Sequence, residues 1–374
     1  MPLNILYLSP IPFDSIKQRP QYLAEQLAEV HNVTYVEPTL SFIHKLIKGN
    51  EYKKKSYSIS NKLHVLRLNG LFSIHRVMDG VMPFGLHSLW ERIQLRKLLQ
   101  KTDLIWIGYC GWYPLIEKSK LPIVYDKMDD NELLIDNTRL KTLFERIANS
   151  FLLKKHIRRM DDALTVRANL MFVTAQVFYD KAKKKCKQVF IIPNAVNASL
   201  IPKQRHKNET DKIIFGYIGM IEHWFDMDAI KTIINANENN YIVLAGPNYL
   251  PEFKHKRVTY TGRVHKEQLA DILSGFDICL YPFKKGALLD TINPVKIYEY
   301  LSMNKPVLAV KSIETEKFKK YIAIYDTLGQ IIEICSKGFN KPFLDDKECK
   351  KFMMENCWDQ RGAEIRDILS LDMR

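Results

Sequence analysis

Short apolar runs alternate with helical stretches along this chain, in two consecutive series, and that alternation limits its fold more than any other feature. The first series holds Asn4–Ser9, Asn32–Glu37, Leu63–Leu68, Leu104–Gly108, Ile123–Asp126, Leu170–Val173 and Val189–Ile192. Runs this short and this apolar predict strands buried on both faces. Pro10 and Pro12 break the first, and Pro38 is expected to stop the second. Between them Gln21–Val30 places Tyr22, Leu23, Leu27 and Val30 at helical spacing, an inward stripe. Strand–helix–strand repetition requires crossover connections, which build parallel sheets covered by helices. The second series is Ile213–Gly219, Tyr241–Ala245, Val258–Thr261, Ile278–Tyr281 and Pro306–Ala309. It opens after a polar stretch, Pro202–Asp211, read as a linker. The expected architecture is therefore α/β, with two Rossmann-like domains facing a central cleft. The predicted boundaries are residues 1–203, completed by a terminal helix at about 355–374, and residues 204–354.

Composition narrows the class. The chain has 374 residues, 46% of them apolar and 26% charged, enough for two full cores. No apolar run approaches the roughly 20 residues that cross a bilayer. Met1–Pro10 lacks a basic start and a cleavage site, so it reads as a strand and not a signal peptide. Six cysteines lie far apart without paired spacing, so neither a zinc site nor a disulfide framework is expected, and a cytoplasmic location fits.

The net charge of +14 is uneven. Residues 1–200 hold 30 Lys and Arg against 18 Asp and Glu, whereas residues 201–374 hold 26 against 24. This asymmetry predicts an anionic partner for the first half. No recognition motif or aromatic–basic signature accompanies it, so nucleic acid is not the expected one. Phe42–Lys48, Lys53–Lys55 and Leu140–Arg159 mix apolar and cationic residues, as helices at an anionic membrane surface do. Packing on the domain's own sheet would give the same pattern.

The segment Phe276–Phe283, a strand entering a loop, leads to Asn293–Ser302 and then Asn304–Ala309. The middle piece reads as a helix with Pro294 in its first turn and Asn293 as its side-chain cap. The free N–H groups of such a helix start collect phosphate. Lys296 lies in the first turn and Glu299 three residues on, on the same face. The ammonium suits a pyrophosphate and the carboxylate suits two ribose hydroxyls. A surface Lys–Glu pair has the same spacing.

Asn293–Tyr300 followed by Asn304–Val307 resembles the donor-site signature of GT-B glycosyltransferases. It resembles especially the family-four-like bacterial polysaccharide glycosyltransferases, teichuronic acid and xanthan enzymes among them. Gly216–Asp226, Ala245–Pro247 and Thr261–Val264 resemble further loops of the donor domain, in the family's order. Arg19–Ala24, Val33–Glu37 and Val124–Asp130 resemble the first domain, and Trp358–Arg361 the final helix. The resemblance implies Glu299 for the ribose and Lys296 for phosphate, with Gly219, Arg263, Asn293 and Tyr298 also at the donor. It implies Arg19 toward an anionic acceptor, no cofactor beyond the nucleotide sugar, and no essential metal.

Two departures matter. Retaining members carry a second glutamate eight residues before Glu299, where this chain has Thr291, with Asp290 beside it. They also carry a histidine in the first domain, where this chain offers Asp129 and Asp130. An inverting transfer needs a base to take the acceptor proton. Asp129 or Asp130 can serve as that base, or either can cap a helix start.

The expected function is transfer of a sugar from a UDP-linked donor to a saccharide or lipid-linked saccharide. The setting is cell-surface polysaccharide synthesis in the cytoplasm, at the inner membrane face. Retaining transfer without a protein base, a GT-B sugar-nucleotide epimerase, and a basic nucleic-acid-binding protein are the alternatives.

Overall fold

The computed structural model describes residues 2–15, 17–41, 56–70, 89–133, 151–197, 211–264, 268–336 and 344–372. Phe42–Lys48, Lys53–Lys55, the first part of Leu140–Arg159 and most of Pro202–Asp211 lie outside these residues. The chain divides into two compact units, Met1–Pro193 with Gly362–Arg374, and Asn194–Arg361. The crossing thus falls ahead of the polar stretch read as a linker.

The first unit is an eight-stranded sheet. Its strands are β1 (Asn4–Leu8), β2 (Asn32–Ser41), β3 (Ser56–Ser58), β4 (Leu63–Gly70), β5 (Leu104–Ile107), β6 (Ile123–Lys127), β7 (Leu170–Val173) and β8 (Val189–Ile191). Their order is β3-β4-β2-β1-β5-β6-β7-β8, parallel except where β3 pairs antiparallel with β4. The apolar runs identify every parallel strand. β3 escapes them because Ser-Tyr-Ser has no run to read. Pro38 does not stop β2. The pairing with β4 shifts register between Glu37 and Leu40, so the residue without an N–H sits in an irregularity of the ladder.

Helix α1 (Arg19–Ala28) buries Leu23, Ala24 and Leu27. Val30 lies past its end and is 46% exposed, so it is no part of the stripe. Tyr7, Tyr35, Trp106 and Phe172 form a buried row of stacked rings across the sheet, with successive centroids 5.3–5.7 Å apart.

Two more helices of this unit bear on the charge asymmetry. Helix α2 (Leu89–Leu99) leaves Leu89, Trp90 and Ile93 exposed at 53%, 60% and 48%, while Leu95 is buried. Helix α3 (Phe151–Arg167) does the reverse. It buries Ile157, Met160 and Leu164 and exposes Lys155, Arg158 and Arg159. In the described part of Leu140–Arg159, Ile157 is therefore turned to the unit's own core and the cationic residues to the surface. Among the described residues no helix is long and apolar enough to cross a membrane.

The second unit is a parallel six-stranded sheet of order β11-β10-β9-β12-β13-β14. The strands are β9 (Ile213–Ile218), β10 (Asn240–Ala245), β11 (Val258–Gly262), β12 (Ile278–Tyr281), β13 (Val307–Val310) and β14 (Ala323–Tyr325). In each sheet one strand lies between neighbours reached in opposite directions, β1 between β2 and β5, and β9 between β10 and β12. Doubly wound sheets bind ligands at the carboxyl ends beside such a switch point.

Candidate functional site

In the second unit the switch point is lined by glycine backbone and one lysine. After β9 the chain reaches Gly219 at φ +148°, and after β10 it reaches Gly246 at φ +146°, conformations that favour glycine. The Gly219 N–H donates to the Ala245 carbonyl at 2.8 Å, and Ile221 N–H to the Pro247 carbonyl at 2.9 Å, so the two loops run on together. A side chain at Gly246 would meet the Gly219 carbonyl oxygen at 2.0 Å. One at Gly219 would meet Lys296 Cε at 2.3 Å and Nζ at 2.8 Å. The lysine therefore lies across the bare backbone of residue 219.

Lys296 comes from helix α5 (Val295–Ser302), reached from β12 through helix α4 (Ala287–Thr291). The Tyr300 hydroxyl accepts the Ile218 N–H at 3.1 Å, which fixes α5 against the end of β9. Ile297, Tyr298, Tyr300 and Leu301 are buried, so Lys296 and Glu299 take the outward face together. Among the described residues the Lys296 ammonium has no hydrogen bond and no ion pair, and its nearest marked partner is the Tyr217 ring, 5.7 Å away. Burial pulls its pKa below the ordinary lysine value, and Glu299 opposes that shift. Among the described residues this desolvated ammonium, at a helix start and a switch point, has no fixed counter-ion, an arrangement that favours an anion.

Three more residues were read as donor contacts, Asn293, Tyr298 and Arg263. Asn293 does not cap α5, whose N-cap is Pro294 without a side-chain bond. Its Oδ1 instead accepts the Asn194 N–H at 2.8 Å, and its Nδ2 donates to the buried Glu314 carboxylate at 3.0 Å. Tyr298 faces inward, edge-on to Phe318 with centroids 4.9 Å apart, because position 298 lies across the helix from Lys296. Arg263 is exposed beyond β11, the edge strand, with β10 between that strand and β9. Thr291 is buried and its hydroxyl donates to the Leu288 carbonyl at 2.7 Å, while Asp290 accepts the Ile313 N–H at 3.4 Å. Neither replaces the missing glutamate by register. Sequence reading missed Asn194 and Glu314, which no pattern distinguishes from ordinary loop residues.

In the first unit the corresponding place is a hollow of about 90 Å³ at the ends of β1, β5 and β6. Pro10, Ile11, Gln18, Met128, Asp129 and Asn131 are among its walls. Asp129 is exposed as a residue, yet the protein crowding its carboxyl pushes the pKa up to about 6. The Arg19 cation opposes the rise, and the Asp126 and Asp130 carboxylates add to it. Asp130 plays the capping part, since its Oδ1 accepts the N–H groups of Glu132 and Leu133, both at 3.1 Å.

Arg19, read as turned toward an anionic acceptor, is bonded within the protein. It is buried, its Nη2 donates to Asp126 at 2.7 Å, and its Nη1 donates to the carbonyls of Ile192 and Pro193 at 2.9 and 3.2 Å. Among the described residues no group of three or more His, Cys, Asp or Glu side chains is placed to hold a metal ion.

The chain is similar to known glycosyltransferases of this architecture. It is 21% identical over 331 residues to TuaH of Bacillus subtilis (strain 168), a glycosyltransferase assigned to teichuronic acid biosynthesis, with 82% of this chain and 80% of TuaH covered. Among solved structures it is similar to Anabaena HepE in complex with UDP and glucose. That likeness has a TM-score of 0.64 at 11% identity and covers 98% of this chain and 99% of the other. The catalytic domain of starch synthase IV from Arabidopsis thaliana, bound to ADP and acarbose, gives 0.61 at 11% identity, covering 100% and 99%. No model of a known protein family matches the sequence. The chain has the GT-B fold, two Rossmann-like units in one polypeptide.

Proposed function

We propose that this protein is a glycosyltransferase that moves a sugar from a UDP-linked donor to a saccharide or lipid-linked saccharide in cell-surface polysaccharide synthesis. The desolvated ammonium of Lys296 over Gly219, with no hydrogen bond or ion pair among the described residues, carries the reading. It would hold the diphosphate with the N–H groups of α5, and Glu299 on the same face would take the ribose. With a lysine and a helix start to neutralise the leaving group, no metal is required. Asp129 is the proposed base, which makes the transfer inverting. The TuaH likeness and the UDP held by HepE support the donor class.

Thermal unfolding with a nucleotide panel tests this. UDP at a hundredfold excess over its Kd should raise the Tm of the second unit by roughly 5–10 °C. The shift should be the same with EDTA present, and ADP, GDP and CDP should shift it less. No shift with any nucleotide would remove the donor assignment.

Membrane contact belongs to the same proposal, at the inner face and in the cytoplasm. Helix α2 supports it, since it points Trp90 and Ile93 outward beside the exposed Arg96 and Lys97. The protein should float with vesicles containing phosphatidylserine, and a variant carrying both Trp90→Ser and Ile93→Ser should stay at the bottom. Equal flotation of the two proteins would rule α2 out.

A further inference from the structure

The chain passes from the first unit to the second at Pro193–Asn194, and this short crossover is gripped from both sides. On one side Arg19 binds the Ile192 and Pro193 carbonyls through Nη1 while its Nε and Nη2 hold Asp126 at 3.0 and 2.7 Å. Asp126 is the penultimate residue of β6, three residues before Asp129. On the other side the Asn194 N–H donates to Asn293 Oδ1 at 2.8 Å, and Asn194 Nδ2 donates to the Asn293 carbonyl at 3.2 Å. Asn293 stands two residues before α5, the helix of Lys296. Residues 192 and 193 are thus bonded to Arg19, which also holds Asp126 in the strand that leads to the proposed base, and residue 194 is bonded to the turn that starts the proposed donor helix.

These groups are poor choices for stability alone. Arg19 and Asp126 are both buried, and taking two charges out of water costs about as much as their attraction returns. An apolar pair of similar volume would pack as well. What the ion pair supplies, and packing would not, is a fixed direction. The planar guanidinium must meet a carboxylate on one edge and two carbonyls on the other. Asn293 is likewise buried, with its side chain divided between Asn194 and Glu314.

We propose that Arg19 and Asn293 are positioning residues that make the 192–194 crossover a mechanical link between the donor helix and the Asp129 loop. This rests on the transferase reading above. Occupation of the Lys296 site should then steady α5, through Asn293 the crossover, and through Arg19 the segment 126–129. The side chains of Arg19 and Asn293 need no contact with each other or with either substrate.

Hydrogen–deuterium exchange on the full chain with and without UDP tests the link. UDP should slow exchange at the segments containing Gly219 and Lys296, at the crossover, and by at least about threefold at residues 126–129. Asn293→Ala should keep the protection at Gly219 and lose it at 126–129. Arg19→Lys keeps the charge beside Asp126 but not the fork that reaches both carbonyls, and should lose the same distant protection by a separate route. Either variant suffices if the other does not fold. Protection at 126–129 that survives in a folded variant would overturn the proposal, as would wild-type protection that stops at the second unit. Absence of protection even at Gly219 and Lys296 would instead refute the donor site itself.

Discussion

Asp129→Asn is expected to lower kcat by about 10²- to 10⁴-fold while leaving the UDP affinity unchanged, the usual weight of a general base. The expectation follows from what separates two adjacent carboxylates. Asp130 already accepts two backbone N–H bonds and holds a turn together. Asparagine caps such a turn about as well as aspartate, so Asp130→Asn should stay within about threefold of wild type. Asp129 opens on the hollow at the switch point of its sheet, and the protein crowding its carboxyl pushes its pKa up to about 6. A base must be deprotonated to act. For the wild type, kcat/KM should therefore fall tenfold per pH unit below about 6 and be level above it.

Stability runs the other way. A carboxyl whose folded pKa lies above its unfolded one favours the native state at low pH and loses that contribution as pH rises through about 6. At pH 7.5 Asp129→Asn should then unfold no earlier than wild type. Loss of turnover together with loss of Tm would point to a structural role, and an Asp129→Asn enzyme retaining a tenth of its activity would end the assignment.

The fold was legible because parallel strands buried on both faces are written as continuous apolar runs, and every parallel strand of both sheets except the short β14 answers to one. What escaped was polar or irregular. β3 has no apolar run, and Pro38 looked like a terminator because a bulge cannot be read from local sequence. The site divided along a similar line. The shared face of Lys296 and Glu299 and the bare backbone at Gly219 were legible because helical spacing and a glycine after a strand are local facts. Arg19, Asn293 and Tyr298 were placed at ligands by the resemblance. Arg19 and Asn293 have protein partners far along the chain, 107 residues away for Arg19 and Asp126 and 99 for Asn194 and Asn293. A buried arginine paired with a buried aspartate has the same residue types as one waiting for a substrate. Only the tertiary structure separates them.

Lys296→Met tests the donor half with the second-largest effect. The side chains are close in volume, and methionine can lie across Gly219 as the lysine stem does. What disappears is the charge. A hydrogen bond involving a charged group is worth about 1.5–3 kcal/mol, so the Kd for UDP should rise roughly 10- to 150-fold. Uridine, which lacks the diphosphate, should bind the two proteins alike. The variant should also be at least as stable at pH 7. Burial lowers the folded-state pKa of Lys296, so the charged form is penalised in the native state at neutral pH. In the wild type that penalty is relieved as pH rises from the lowered folded value to the ordinary one, and in the variant it is absent at every pH. Removing a residue that merely packed would weaken the fold and leave the preference for UDP over uridine intact. Titration calorimetry with UDP and uridine, paired with unfolding curves, separates the two. An unchanged UDP Kd would show that Lys296 is not the diphosphate ligand, whatever happened to the Tm.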